Sequence, residues 1–228
     1  MTNNQRTTPD IKIIDFDKEE FPFHKIIADY IDTTALDSLS SANMTPEGTN
    51  SYYKNMEQHP IFKKMYQKLG GDEGQWFYKL YQRFIVEVIR PHYNEAIYYQ
   101  RKPSHRILFK DIKGEARFHK DSDYGHSSDE VNYWLPQTEA FETNSIWIEQ
   151  HLEKGDYEPV SLKVGQCLQF NGANFRHGAF RNSTGKTRVS FDFRIIPATK
   201  MKTEALNDAN EAGDNPVMSN AHKFVLCE

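Results

Sequence analysis

From Pro91 onward the chain breaks into short runs rich in β-branched and aromatic residues: "AIYYQR", "HRILFK", "EARFHKD", "EVNYWLP", "TNSIWIEQ", "PVSLKV", "QCLQFNG", "RHGAFRN" and "TRVSFDFRII". Gly, Asn, Pro and Asp punctuate them, and none is long enough for an amphipathic helix. A chain written this way closes many short strands into a sandwich or a jelly-roll barrel. Before Pro91 the pattern differs. "IKIIDF" reads as a short strand, "EEFPFHKIIADYI" opens a helical stretch, and "TTALDSLSSANMTPEGTNS" is a turn-rich connection. A further helical stretch over 51–69 is interrupted at Pro60. "EGQWFYKLYQRFIVEVIR" is the clearest helix, with Trp76, Leu80, Phe84 and Val88 as its core face and Pro91 as its stop. The expected class is mainly β with N-terminal helices. One domain spans 1–228, with a mostly helical part over 1–95, a barrel core over 96–197 and a C-terminal arm or lid over 198–228.

Charge and cysteine content exclude several functions. The 28 basic and 32 acidic side chains leave a net charge of −4, with no basic footprint for nucleic acid. No segment approaches the ~20 apolar residues of a membrane span, and "MTNNQRTTPDIK" carries no apolar leader. Cys167 and Cys227, sixty positions apart, make neither a disulfide framework nor a thiolate zinc site. A cytoplasmic protein acting on a small molecule is expected.

"RFHKDSDYGH" (117–126) raises the central question. On a strand, His119 and Asp121 at i and i+2 share a face, placing an imidazole beside a carboxylate. A water-facing charged loop is the plainer reading of that run alone. His177, in the glycine-flanked "NGANFRHGAFRN", supplies a third donor. Two histidines and one carboxylate with the other positions open make the facial triad of non-haem iron(II) oxygenases. Arg188 follows His177 by eleven positions in "TRVSFDFR", and Ser190 lies two further along the same face. An arginine fork and a hydroxyl so placed bind a carboxylate inside a barrel; the competing reading pairs Arg188 with Asp192.

In this order, His-x-Asp, "NYWLP", "TNSIWIE", "GQCLQF", His177 and "RVS" resemble the iron(II)/2-oxoglutarate-dependent oxygenases. The narrower resemblance is to the phytanoyl-CoA-dioxygenase-like group and the oxygenases of streptomycin-type biosynthetic clusters. It covers about residues 96–197 and departs after Asn144, where "EQHLEKGDY" replaces the phytanoyl group's "PGSH" run. The resemblance implies a double-stranded β-helix (the jelly-roll, cupin-like barrel) holding Fe(II) on His119, Asp121 and His177. It implies 2-oxoglutarate as cosubstrate on Arg188 and Ser190, with Trp134 lining its site. Dioxygen would then oxidise a substrate C–H bond as 2-oxoglutarate becomes succinate and carbon dioxide, the protein positioning the partners.

Several residues keep two readings. Asp123 competes with Asp121 as ligand if the strand continues, and Trp134 is also readable as core. His126, Asn144 and Glu149 are candidate substrate contacts, with a loop histidine, a turn residue and an edge charge as their plainer readings. Asp123, Asp129 and Glu130 would put carboxylates at the barrel mouth, favouring a small polar substrate: an amino acid, a guanidino compound or a sugar. Arg194 is expected to pair with Asp192, and Cys167 to be an inert buried strand residue. The competing function is a non-oxidative cupin-type isomerase or sensor, which has no need of a dicarboxylate clamp. A halogenase is disfavoured because it would leave the Asp121 position empty.

Overall fold

The computed structural model describes residues 8–40, 59–110, 118–201 and 224–228. Its strands are β1 (Lys12–Asp15), β2 (Ile97–Gln100), β3 (Ser104–Leu108), β4 (Val131–Pro136), β5 (Trp147–Glu149), β6 (Tyr157–Pro159), β7 (Gln166–Phe170), β8 (His177–Gly178), β9 (Arg188–Pro197) and β10 (Phe224–Cys227). The helices are α1 (Phe23–Tyr30), α2 (Pro60–Gly70) and α3 (Asp72–Phe84). All pairings are antiparallel. The larger sheet runs β1-β7-β4-β9-β2-β10, with β3 on the other half of the β9 edge, and β6-β5-β8 forms the smaller sheet. This is the expected jelly-roll class.

Strand β9 divides the interior in two, because side chains alternate along it. Val189, Phe191, Phe193 and Ile195 are all fully buried against the helices. Phe191 packs edge-on to Phe23 at 5.2 Å and Phe193 to Tyr81 at 5.3 Å between ring centroids. Burying each such side chain stabilises the fold by roughly 1.5–3 kcal/mol. The alternate residues Arg188, Ser190, Asp192 and Arg194 turn the other way, into the space between the sheets. Trp134, Leu168, Phe170, Ile148 and Phe175 form the apolar wall of that inner space.

The helices correct three expectations. Trp76 is exposed (67%), while Phe77, Leu80, Tyr81 and Phe84 carry the buried face. A strict four-residue repeat drifts about 40° per step on a helix of 3.6 residues per turn, so Trp76 has rotated out of the face that Phe84 anchors. Pro91 does not end the α-helix. Regular α geometry stops at Phe84, Ile85–Ile89 form a π-helical turn, and Pro91 lies within a 3₁₀ turn, Arg90–His92. Pro60 begins α2 as its first residue, where its missing N–H costs nothing, and His59 Nδ1 accepts from Ile61 N at 3.3 Å.

Among the strands, "PVSLKV" contributes only Pro159 to β6 and an isolated bridge between Leu162 and Ala140. The expected strand over 115–121 falls partly outside the described residues. Its visible end is an isolated bridge at His119, followed by a 3₁₀ turn, Asp121–Tyr124. The helical reading of 51–58 and most of the arm, 202–223, also lie outside them. The end of that arm is β10, which pairs with β2.

His105, on the helix-facing side of β3, is fully buried, with Tyr66, Phe77 and Phe191 around its ring and, among the described residues, no hydrogen-bond partner on either ring nitrogen. Burial, with the nearby Arg106 charge, lowers its pKa to about 3. The unfolded chain therefore binds the extra proton between about pH 6.5 and pH 3, and stability falls with pH across that window by about 1.4 kcal/mol per unit. Urea midpoints at pH 7 and pH 5 should show this as roughly 2 kcal/mol lost in the parent protein. His105→Leu should remove that part of the loss.

Candidate metal centre

His119 and His177 face each other across a two-residue backbone bridge. His119 N donates to His177 O at 3.2 Å, and His177 N donates to His119 O at 3.0 Å. This exchange places both imidazoles on one side of the strand pair, 4.6 Å apart between ring centroids. His177 Nδ1 lies 3.2 Å from Phe175 O, which favours the tautomer protonated at Nδ1 and leaves the Nε2 lone pair for a metal.

Asp121 enters through the first turn of the 3₁₀ segment rather than along a strand. Its amide donates to Gly172 O at 2.9 Å, folding the chain back so that Oδ1 sits 3.5 Å from His119 Nε2 and 3.4 Å from His177 Nε2. The three donor atoms lie within 4.8 Å of one another, close enough to share one ion. Burial would raise the Asp121 carboxyl; hydrogen bonds with His119 and His177, with the Arg194 charge, outweigh it and hold the group well below the usual carboxylate range. Asp121 is thus an anionic donor. Its side chain is 4% exposed, that of His177 10% and that of His119 28%, so the cluster opens on the His119 side.

A cavity of about 130 Å³ adjoins the triad and is lined also by Arg106, Asn132, Trp134, Phe170, Arg188, Asp192 and Arg194. Arg188 lies with its guanidinium carbon 5.3 Å from the Trp134 ring centroid, a cation–π contact. Trp134 is a buried member of the inner core and also lines the cavity. Ser190 is fully buried, and its Oγ has no hydrogen-bond partner among the described residues. A buried hydroxyl without a partner costs free energy that a bound carboxylate would relieve.

Arg194 corrects the sequence reading. Its Nε and NH2 reach Asp121 Oδ2 at 3.2 and 2.9 Å, and Nε lies 3.4 Å from Glu130 Oε2. Asp192 pairs instead with Arg106, Nε to Oδ1 3.4 Å. The register explains the exchange: Arg194 lies opposite Asn132 beside the Asp121 turn, whereas Asp192 lies opposite Ser104, next to Arg106 on β3.

The candidate substrate contacts separate. Asp123 is exposed and does not line the cavity, accepting from Lys120 N at 3.1 Å with Arg176 3.6 Å away. His126 is held by Glu130, Nδ1 to Oε2 2.9 Å, and Asp129, whose N–H donates to Ser127 Oγ, does not line the cavity. Asn144 and Glu149 are turned to backbone. Asn144 accepts from Phe141 N at 2.7 Å, and Glu149 accepts from Gly155 N at 3.0 Å, so each closes a turn and neither lines the cavity. Cys167 is buried on β7, and burial pushes its thiol well up, as an inert residue requires. Asn132 was missed: its amide donates to Asp121 Oδ2 at 2.7 Å. Its one sequence signal is an amide inside the otherwise apolar run "VNYWLP".

No protein-family model matches the chain. Streptomycin biosynthesis protein StrG of Streptomyces griseus is 29% identical over 191 residues, covering 80% of this chain and 82% of StrG. Among solved structures, EctD from S. alaskensis with bound Fe superposes with a TM-score of 0.52 at 12% identity, over 85% of this chain and 74% of EctD. The non-heme alpha ketoglutarate dependent epimerase SnoN from nogalamycin biosynthesis does so at 0.51 and 14%, over 96% of this chain and 94% of SnoN. The chain shares the fold of EctD and SnoN. With it comes a His-Asp-His cluster able to hold a metal. No helix among the described residues is long and apolar enough to cross a membrane.

His119→Ala or His177→Ala should abolish metal binding in a cobalt(II) titration, since each leaves two protein donors. Asp121→Asn should weaken it severely and Asp123→Asn should not. The reverse order would move the carboxylate ligand to Asp123.

Proposed function

We propose that the chain is an iron(II)- and 2-oxoglutarate-dependent oxygenase that hydroxylates a C–H bond of a small polar metabolite. The observation that carries this reading is the opening of one cavity onto both His119, Asp121 and His177 and the cation Arg188, with the Ser190 hydroxyl, which has no hydrogen-bond partner among the described residues, beside Arg188 on β9. His119, Asp121 and His177 would hold the iron, and Arg188 with Ser190 the distal carboxylate of 2-oxoglutarate. When bound, iron and 2-oxoglutarate supply the oxidation of substrate by dioxygen, with succinate and carbon dioxide released.

The chain's own residues do the positioning. The His119–His177 bridge sets the two imidazoles, and Phe175 O supports one tautomer of His177. Arg188 offers a charge-assisted fork in a space walled by Trp134, Leu168 and Phe170, where water competes weakly. A cupin-type isomerase would have no use for a cation at that place. The Arg106–Asp192 pair in the cavity wall favours a polar substrate over an acyl chain, as does the likeness to StrG, a streptomycin biosynthesis protein.

Arg188→Ala removes a contact of roughly 1.5–3 kcal/mol, so affinity for 2-oxoglutarate should fall about ten- to hundredfold. Anaerobic titration of the iron–2-oxoglutarate absorption band measures this. An unchanged curve would shift the clamp to Arg106, which lies across from Ser190 in the β3–β9 register. Succinate release should appear with basic amino acids, aminocyclitols or sugars, together with a +16 Da product. Release with acyl-CoA alone would overturn the polar-substrate reading.

A further inference from the structure

The two oxygens of Asp121 have different surroundings. Oδ1 faces His119 and His177, whereas Oδ2 accepts from Asn132 Nδ2 at 2.7 Å, Arg194 NH2 at 2.9 Å and Arg194 Nε at 3.2 Å. Three N–H groups saturate one carboxylate oxygen, and turning the carboxylate to offer Oδ2 to a metal would break all of them.

Asn132 is itself fixed. Asp121 N donates to Gly172 O at 2.9 Å, Gly172 N donates to Asn132 Oδ1 at 3.2 Å, and Asn132 Nδ2 donates to Asp121 Oδ2, closing a circuit of three hydrogen bonds. The circuit has no room for a side chain at Gly172. A Cβ there would lie 2.9 Å from Asn132 Cγ, Nδ2 and Oδ1. Arg194 is held from its far side by Glu130, which also accepts from Ser127 N at 3.1 Å.

We propose that Arg194 and Asn132 are positioning residues that confine Asp121 to metal ligation through Oδ1 alone, with Gly172 required so that the Asn132 amide can sit where it does. The inference rests on the triad's holding a metal. Its consequence is coordination arithmetic. Two histidines and a one-oxygen carboxylate leave three positions of an octahedral ion open, enough for a chelating 2-oxo acid and one further ligand. A carboxylate chelating through both oxygens would remove one of the three.

The test uses the full-length protein and cobalt(II) as the probe metal, read by its visible absorption, followed by 2-oxoglutarate binding to the cobalt-loaded protein. Arg194→Met and Asn132→Leu should each change the cobalt spectrum and weaken metal affinity about ten- to hundredfold. Both should also weaken 2-oxoglutarate binding, although Arg188 and Ser190 are untouched. Arg194→Lys should recover part of each effect. Gly172→Ala should reproduce the Asn132→Leu behaviour with both Asp121 donors chemically intact, and circular dichroism of the metal-free variants should match the parent. If Arg194→Met does not fold, Arg194→Lys and Gly172→Ala decide in the same way. Cobalt spectra and affinities equal to the parent's in those variants would overturn the proposal. A parent protein that binds no cobalt(II) would instead overturn the metal assignment beneath it.

Discussion

Strand β9 carries two chemistries on one backbone, and the rest of the structure is arranged around that fact. One face buries Val189, Phe191, Phe193 and Ile195 against the helices; the other sends Arg188, Ser190, Asp192 and Arg194 between the sheets. A one-residue slip of β9 against β4 would put arginines into the aromatic core and phenylalanines into the cavity. The apolar face therefore fixes the register of the polar one. Because Asn132, Trp134 and Arg106 sit opposite Arg194, Asp192 and Ser190 respectively, that register also assembles the cavity wall.

Placing four polar residues inside a barrel is costly unless each is answered. Arg194 is answered by Asp121 and Glu130, and Asp192 by Arg106. The Arg188 guanidinium lies over Trp134, while the Ser190 hydroxyl has no partner among the described residues. At the far end Arg194 is paired with both Asp121 and Glu130. At the near end the Ser190 hydroxyl and Arg188 are the groups that, under the proposed function, would meet the distal carboxylate of 2-oxoglutarate.

How much of this was legible depends on whether the signal was local. The run of short strands, the His-x-Asp triplet, His177 and the Arg-x-Ser pair are spaced patterns, and spacing survives in a linear string. The apolar stripe of α3 was legible in kind but misplaced, since Trp76, Leu80, Phe84 and Val88 follow a four-residue step that a helix does not keep. Asn144 and Glu149 read as polar residues beside a pocket, yet local backbone N–H groups claim both. Nothing in a one-dimensional pattern tells a side chain that closes a turn from one that meets a ligand.

The sequence by itself determined the layered class and narrowed the metal donors to His119, His177 and either Asp121 or Asp123, because alternation and residue chemistry are properties of the chain alone. Tertiary structure decided how those charges pair. Arg194 lies two residues from Asp192 but binds Asp121, seventy-three positions away in the chain, because the Asp121 turn is pinned to Gly172 and lies beside Asn132. Two residues apart on a strand, side chains stand side by side on one face; a partner across the sheet can approach head-on. That geometry exists only once β4, β7 and β9 have come together.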